Sequence, residues 1–190
     1  MQRIVLASQS PRRKQLLEWA EIEFDIIVPQ TDESFPAGMD IREVPVHIAR
    51  EKAKSIQTEL SHERIILAAD TIVVLGGKVI GKPVDRNDAI DILSQLSGKN
   101  HQVITGVVLL KGKKEISFAD VTDVLFHELT REQIAFYVDK YKPYDKAGAY
   151  AIQEWIGVIG IKNISGDFYN VMGLPVSRVV KELRGLMFDV

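Results

Sequence analysis

The sequence contains no cysteine. This absence excludes disulfide bonds, thiolate catalysis and zinc or iron sites built on cysteine. Histidine is scarce as well, with only His47, His62, His101 and His127. These four are scattered, and no pair has the spacing of two ligands on one helix. The sequence therefore argues against a histidine-based metal site too.

Long apolar runs and a strong net charge are also missing. Apolar runs such as IILAA and TIVVL have the length of strands and are too short to span a bilayer. The apolar run near the N-terminus is too short for a signal peptide, so we expect a cytoplasmic protein without membrane contact. The formal net charge is −2 at pH 7, which argues against nucleic acid as a partner because nucleic-acid-binding domains usually carry a basic excess.

The rest of the composition is typical of a globular domain. Of the 190 residues, 46% are hydrophobic and 26% are charged. No repeat or linker divides the chain, so we expect a single domain over residues 1–190, with a hairpin-rich lobe at about 100–130. Because strand-like runs alternate with amphipathic stretches, the pattern predicts an α/β fold with a mixed sheet flanked by helices.

The pattern also places the individual elements. Strands are predicted at RIVLA and FDIIV, and within the run of residues 64–83, which contains a hairpin turning at Gly76-Gly77. A second, longer hairpin is predicted to break at Lys111–Lys114. Helices are predicted near residues 11–20, 41–60, 89–96, 130–141 and 175–187.

The stretch LASQSPRRK has the features of a phosphate-binding turn. Ser10 reads as the N-cap of a helix with Pro11 at its first position, so free backbone N–H groups follow directly after a strand. Ser8 adds a hydroxyl group, and Arg12 and Arg13 add guanidinium groups that suit phosphate. The alternative is a capped helix with a solvated basic face, and the glycine-rich P-loop motif does not occur in the sequence.

Charged residues in two further stretches are candidate catalytic groups. Asp32 and Glu33 are adjacent in a polar loop, where carboxylates are usually solvated but can also bind a hard cation such as Mg²⁺. Lys52 lies within a predicted helix, where a lone lysine is usually exposed. Asp70 interrupts two strongly apolar runs, so it is either a strand-end residue or a metal ligand or general base.

Two glycine-containing stretches complete the candidate site. Lys82 stands between a glycine and a proline after a strand, a rigid position that suits a fixed phosphate contact. Gly148 and its small neighbours would allow a ligand to approach closely, and the Gln153 amide can both donate to and accept from a base edge. Taken singly, each stretch is equally well explained as an ordinary turn.

Six stretches together resemble the Maf family of nucleoside triphosphate pyrophosphatases. They occur in the family's order between residues 4 and 175, which is nearly the whole chain. The stretches are LASQSPRR, EKA at 51–53, AADTIV, GKP at 81–83, DKAGAYAIQ and GDFYNVMGLP. The last two are similar to the branch of the family that acts on dTTP and UTP, whereas the branch that acts on 7-methyl-GTP has a different segment in place of DKAGAYAIQ. The dTTP/UTP branch would use Arg12, Thr71 and Gln153 as specificity residues.

The resemblance implies a fold similar to inosine triphosphate pyrophosphatases, with an elongated mixed sheet and two lobes around a cleft. It implies hydrolysis of a nucleoside triphosphate between the α- and β-phosphates with Mg²⁺ or Mn²⁺. A homodimer is suggested by the resemblance only. Such an enzyme would remove unwanted or modified pyrimidine nucleotides, and one alternative is a pyrophosphatase for modified or non-standard nucleotides instead of dTTP and UTP. The other alternative is a nucleotide-sensing regulator of cell division or septum formation that acts through protein partners.

The resemblance also assigns roles to the candidate residues. Ser8, Arg13 and Lys82 would bind the phosphates, with Lys52 as a further cation. Glu33 and Asp70 would bind the metal ion, and Asp70 would accept the proton of the attacking water. The catalytic set is therefore Asp70, Glu33 and Lys52, and the sequence does not separate the two roles of Asp70.

Overall fold

The computed structural model describes residues 3–58, 60–61 and 63–187. Its strands are β1 (Ile4–Ala7), β2 (Phe24–Ile26), β3 (Ile65–Leu75), β4 (Lys78–Ile80), β5 (Asn100–Lys111), β6 (Lys114–Phe126) and β7 (Ile161–Ser165). Its helices are α1 (Pro11–Trp19), α2 (Glu43–Gln57), α3 (Arg86–Leu96), α4 (Arg131–Tyr141), α5 (Trp155–Gly160), α6 (Phe168–Met172) and α7 (Val176–Met187), with a 3₁₀ turn at Ala147–Ala149.

The strands form one mixed sheet. Its order is β2-β1-β3-β5-β6-β7, and β4 pairs with β3 outside this path. Strand β1 is parallel to both β2 and β3, whereas the pairs β3–β4 and β6–β7 are antiparallel. The α/β class with a mixed sheet and flanking helices is therefore confirmed. Within the described residues, no helix combines the length and apolarity needed to cross a membrane.

Local signals set several of the element boundaries. Ser10 is the N-cap of α1 and its hydroxyl accepts from the backbone N–H of Arg13, with Pro11 in the first turn where a missing N–H costs nothing. Thr130 and Gln133 form a reciprocal capping box at the start of α4. Gly76 and Gly77 have positive φ angles in the β3–β4 turn, as the predicted hairpin requires.

Some predicted boundaries differ from the structure. Helix α2 begins at Glu43 and ends at Gln57, whereas the apolar spacing predicted a start at Ile41 and an end near Leu60. Strand β2 ends at Ile26, so the last two residues of the FDIIV run lie outside it. The larger difference is in β3, which is one continuous strand through Asp70 and not two apolar runs separated at that residue.

The described chain divides into two compact units. Unit 1 comprises the described residues within 1–70, 105–120 and 173–190, and unit 2 comprises those within 71–104 and 121–172. The core of unit 1 joins α2 to strands β1, β3 and β5, and its buried residues are Val5, Ala7, Val46, Ala49, Ala53, Ile56, Ile66, Ala68, Val108 and Leu110. In unit 2, the rings of His101, Phe126 and Tyr150 pack edge to face with centroids 5.0–5.5 Å apart.

Gly106 brings α2 close to the sheet in unit 1. A Cβ atom at this position of β5 would lie 2.3 Å from the backbone carbonyl carbon of Pro45 and 2.3 Å from the backbone nitrogen of Val46. Since atoms cannot approach so closely, the absence of a side chain lets the first turn of α2 pack directly on the strand. This close approach sets the distance between α2, which carries Lys52, and the sheet.

Candidate active site

Lys52 joins two carboxylates at the centre of unit 1. Its Nζ lies 2.7 Å from Oε1 of Glu33 and 2.7 Å from Oδ1 of Asp70. The side chains of Lys52 and Asp70 are only 10% and 12% exposed, whereas that of Glu33 is 45% exposed. The three residues come from α2, β3 and the loop after β2, so the fold brings together the whole predicted catalytic set.

The position of Lys52 on α2 explains why it is buried. Ala49, Ala53 and Ile56 form the buried face of this helix, and Lys52 lies on the same face. Asp70 is equally buried in the middle of β3, and a buried carboxylate needs a charged or hydrogen-bonding partner. Their ion pair satisfies both groups, so the alternatives of a solvated helical lysine and a strand-end aspartate are wrong.

Arg13 and Ser8 form the second part of the unit 1 site. Nε of Arg13 donates to the carbonyl oxygen of Gly173 at 2.8 Å, and Nη1 donates to Oγ of Ser8 at 3.2 Å. The Ser8 hydroxyl also accepts from the backbone N–H of Ser10 at 3.2 Å. Gly173 has φ 117°, a conformation that glycine adopts without strain, and its carbonyl fixes the guanidinium from the far end of the sequence.

The electrostatic surroundings connect Arg13 to the acidic cluster. Burial lowers the pKa of the Arg13 guanidinium from its ordinary value, and the charge of Arg12 lowers it further. The carboxylates of Asp70 and Glu33 act in the opposite direction and raise the pKa. Since a guanidinium stays charged in proteins, Arg13 is a permanent buried cation within the electrostatic range of both acids.

The basic run at the start of α1 does not act as one group. Arg13 turns inward, Arg12 is half-buried, and Lys14 is exposed and pairs with Glu18 at 3.7 Å along the helix surface. Lys14 therefore fits the solvated alternative, whereas Ser8 and Arg13 form a buried, hydrogen-bonded pair. The exposed ion pair between Lys14 and Glu18 contributes little to stability.

The remaining predicted residues belong to unit 2. Lys82 and Gln153 are exposed, and Thr71 follows Asp70 on β3 and is half-buried. The backbone N–H of Gly148 donates to the carbonyl oxygen of Gly81 at 3.1 Å, so the GKP and DKAGAYAIQ stretches meet within this unit.

Small residues make this contact possible. Gly148 has φ +69°, and a Cβ there would lie 2.9 Å from a methyl group of Val73. The fold therefore requires glycine at position 148. The close contact with Val73 fixes the segment that leads to Gln153.

Sequence reasoning missed a buried polar network beside Gln153. The hydroxyl of Tyr137 donates a short hydrogen bond to Oε2 of Glu154 and accepts from the backbone N–H of Ala151 at 3.2 Å. Nζ of Lys146 lies 3.7 Å from Oε1 of Glu154 and 2.8 Å from Oδ1 of Asp145. Tyr137 occupies an apolar position of an amphipathic helix, so its spacing indicated only a core residue.

The donor set fits a divalent cation that takes most of its ligands from elsewhere. Within the described ranges, no cluster of three or more histidine, cysteine, aspartate or glutamate side chains is arranged to hold a metal ion. Glu33 and Asp70 nevertheless direct one oxygen each to a common point, where the cation of Lys52 lies. Mg²⁺ is commonly bound by one or two carboxylates together with water and substrate phosphates, so these two residues suit it.

In this site two buried cations, Arg13 and Lys52, lie in the electrostatic surroundings of the carboxylates of Glu33 and Asp70. The family model described as Maf-like protein matches residues 3–186. The chain therefore belongs to the Maf family.

Curated relatives of similar length support this assignment. A dTTP/UTP pyrophosphatase of Bacteroides fragilis is 50% identical over 97% of this chain and 96% of its own. One of Bacteroides thetaiotaomicron is 49% identical over 96% and 95%, and one of Porphyromonas gingivalis is 44% identical over 96% and 93%. A solved nucleoside-triphosphatase / dITP/XTP pyrophosphatase of Mycobacterium abscessus covers 65% of this chain and 72% of its own with 16% identity, at a TM-score of 0.40 that is too low to define a fold.

Proposed function

We propose that the protein hydrolyses nucleoside triphosphates, with dTTP and UTP as favoured substrates, at the bond between the α- and β-phosphates. The products are the nucleoside monophosphate and pyrophosphate. The observation that carries this proposal is the ion-pair cluster in which Lys52 joins Glu33 and Asp70. Relatives at 44–50% identity named dTTP/UTP pyrophosphatase support the same reaction and substrates.

Binding of the substrate requires neutralisation of its phosphates. A triphosphate carries about four negative charges, and cations held in place stabilise the charge that develops on the leaving pyrophosphate. Arg13 and Ser8 supply a guanidinium and a hydroxyl group that are already positioned by Gly173 and by the turn before α1. Lys52 and Lys82 are the further cations in this proposal.

Attack by water requires a group that accepts its proton. In the proposal Asp70 is that base, because its carboxylate is buried and its orientation is fixed by Lys52. Glu33 and Asp70 would also hold Mg²⁺ or Mn²⁺, which when bound neutralises phosphate charge and lowers the pKa of a coordinated water. The two roles of Asp70 are compatible, since its two carboxylate oxygens can serve different partners.

Selection of the nucleobase of the substrate is assigned to Arg12, Thr71 and Gln153. The Gln153 amide offers a donor and an acceptor, which is the pattern needed to pair with the edge of a uracil or thymine ring. Its side chain is exposed and available for such a contact. The cytoplasmic location and the homodimer expected from the sequence stay predictions.

The proposal is tested by measuring pyrophosphate release from a panel of nucleoside triphosphates with Mg²⁺ or Mn²⁺. We expect dTTP and UTP to be favoured, and we expect Asp70→Asn to lower kcat by roughly 10²–10⁴-fold, the usual contribution of a positioned base. Asp32→Asn is the matched control, because Asp32 is an exposed acid beside Glu33, and it should retain activity.

Two other outcomes would change the conclusion. A preference for a methylated guanine nucleotide would keep the reaction but contradict the substrate assignment. Nucleotide binding without hydrolysis by the unaltered protein would contradict the catalytic proposal and favour the nucleotide-sensing regulator.

A further inference from the structure

Gln153 stands at the third position of a tight turn in unit 2. The turn spans residues 151–154 and is closed by a hydrogen bond from the backbone N–H of Glu154 to the carbonyl oxygen of Ala151 at 3.1 Å. Ala151 and Ile152 are buried, whereas Gln153 is exposed. The direction in which the Gln153 side chain leaves the protein is therefore set by the conformation of this turn.

A single buried hydroxyl group holds both ends of the turn. The Tyr137 hydroxyl accepts from the backbone N–H of Ala151, the first residue, and donates to the carboxylate of Glu154, the last residue. Tyr137 is fully buried on α4, so its ring cannot follow a movement of the turn. The hydroxyl thus connects the turn to a packed helix.

Two further contacts hold the turn from its other sides. Nζ of Lys146, itself buried, lies 3.7 Å from the carboxylate of Glu154 and balances its charge. A Cβ atom on Gly157 would lie 1.7 Å from the carbonyl oxygen of Ile152, so the start of α5 packs directly on the turn. The backbone N–H of Gly157 also donates to the carbonyl oxygen of Glu154 at 2.9 Å.

We propose that Tyr137 is a positioning residue. It sets the selectivity for the nucleobase of the substrate by fixing the turn that carries Gln153. This inference rests on the proposed role of Gln153 in base recognition. Hydrogen bonds weaken steeply when donor and acceptor are misaligned, so an amide that reads a base edge needs a fixed direction. The phosphates are bound by other residues, so a mobile turn reduces discrimination between bases more than it reduces the chemical step.

The test compares Tyr137→Phe with Tyr141→Phe. Tyr141 lies on the same helix and its ring stacks on that of Tyr137 at 5.0 Å, so its substitution is a matched loss of one hydroxyl group. For each variant, kcat and KM are measured with dTTP and with dCTP, and the selectivity is the ratio of the two kcat/KM values. We expect Tyr137→Phe to lower this ratio on the order of tenfold, mainly through KM for dTTP, which is the effect of losing about one well-aligned hydrogen bond. Tyr141→Phe should leave the ratio unchanged.

Two further variants separate the explanations. Glu154→Gln keeps an acceptor for the tyrosine hydroxyl but loses the charge facing Lys146, so it should lower the selectivity less than Tyr137→Phe does. Gln153→Ala should lower the selectivity at least as much as Tyr137→Phe does.

The possible failures are distinguishable. If Tyr137→Phe lowers kcat/KM equally for both nucleotides, the tyrosine has a structural role only and the inference is overturned. If Gln153→Ala leaves the selectivity intact, the proposed role of Gln153 is wrong, and the positioning role is wrong with it. If Gln153→Ala lowers the selectivity and Tyr137→Phe retains it, only the positioning role fails.

Discussion

Lys52 places one ammonium group at the point where two carboxylate oxygens converge, 2.7 Å from each. A divalent cation held by Glu33 and Asp70 would bind the same two carboxylates, so the ammonium group and the metal ion would compete for their negative charge. If Lys52 binds phosphate as proposed, a triphosphate would give the ammonium group a second set of anionic partners. We therefore expect the metal ion to bind more tightly together with the nucleotide than alone.

Substitution of Lys52 tests this competition. We expect Lys52→Met to raise the affinity for Mn²⁺ in the absence of nucleotide by roughly tenfold, because a competing charge is removed from between two carboxylates. The same variant should hydrolyse dTTP more slowly, because it lacks a phosphate-binding cation. Binding of Mn²⁺ is measured by titration calorimetry or by the paramagnetic resonance of the free ion.

The control for this prediction is another lysine of the same helix. Lys54 is exposed and pairs with Glu51 at 3.8 Å, so Lys54→Met removes an equal charge away from the site and should leave Mn²⁺ affinity unchanged. Equal affinities of the Lys52→Met variant and the unaltered protein would show that the ammonium group and the metal ion do not compete.

At the scale of helices and strands, local signals predicted more than long-range ones. The start of α1 at Ser10 and Pro11, and the capping residue Thr130 of α4, follow from hydrogen bonds between neighbours in sequence. The ends of α2 were less predictable because Arg42 makes no side-chain capping hydrogen bond, which leaves no local marker for the first turn. Strand β7 and helices α5 and α6 were not predicted, since they are only five or six residues long.

The candidate site shows the same division. The individual residues could be predicted from the sequence. An aspartate within a buried apolar run, such as Asp70, needs a partner and therefore draws attention. The partner itself was not predictable from spacing, since Lys52 is 18 residues away and reaches Asp70 only because α2 packs on β3. The carbonyl of Gly173 that orients Arg13 is 160 residues away, and its contribution comes from the backbone and not from a side chain.

Gly106 offers a test of how packing between α2 and β5 supports the site. Gly106→Ala would place a methyl group 2.3 Å from the backbone of α2, so the helix must move. We expect a loss of about 1–3 kcal/mol in the free energy of unfolding, the usual cost of overpacking. Since Lys52 lies two turns further along this helix, activity should fall as well. Both effects are measured by denaturant titration and by pyrophosphate release.

The matched control is Gly185→Ala in α7. No atom lies within 4 Å of a Cβ at that position, and alanine is a better helix former than glycine, so this variant should be neutral or slightly more stable. A Gly106→Ala protein as stable and active as Gly185→Ala would contradict the inferred close packing of helix on strand.

At the scale of the whole molecule, the charge balance is nearly even, with 24 lysine and arginine residues against 26 aspartate and glutamate residues. A protein of this composition attracts a polyanion only where cations are locally concentrated. Unit 1 buries two cations, Arg13 and Lys52, and the carbonyl oxygen of Gly173 and the hydroxyl of Ser8 accept hydrogen bonds from Arg13. The carboxylates of Glu33 and Asp70 both accept hydrogen bonds from Nζ of Lys52.

The response of stability to pH is set in part by His101 in unit 2. The ring is 1% exposed, and its Nε2 is hydrogen-bonded to the Tyr150 hydroxyl at 2.8 Å. Burial lowers its pKa to about 4, although the backbone of Lys99 and the charge of Asp123 act in the opposite direction. An unfolded histidine has a pKa of about 6.5, so between these values the unfolded chain binds the extra proton. The contribution of His101 to stability is therefore fully present above about pH 6.5. It is lost as the pH is lowered towards 4, which lowers the free energy of unfolding by up to about 3 kcal/mol.

Replacing His101 removes this dependence without removing the hydrogen-bonding capacity of the site. We expect His101→Gln to flatten the stability profile between about pH 4 and 6.5, because glutamine does not titrate and can still pair with Tyr150. Denaturant titrations at several pH values would be followed by the fluorescence of Trp155, which lies in unit 2, in a Trp19→Phe background that leaves a single tryptophan. His127→Gln is the control histidine replacement. Parallel profiles for His101→Gln and the unaltered protein would mean that other groups cause the acid sensitivity.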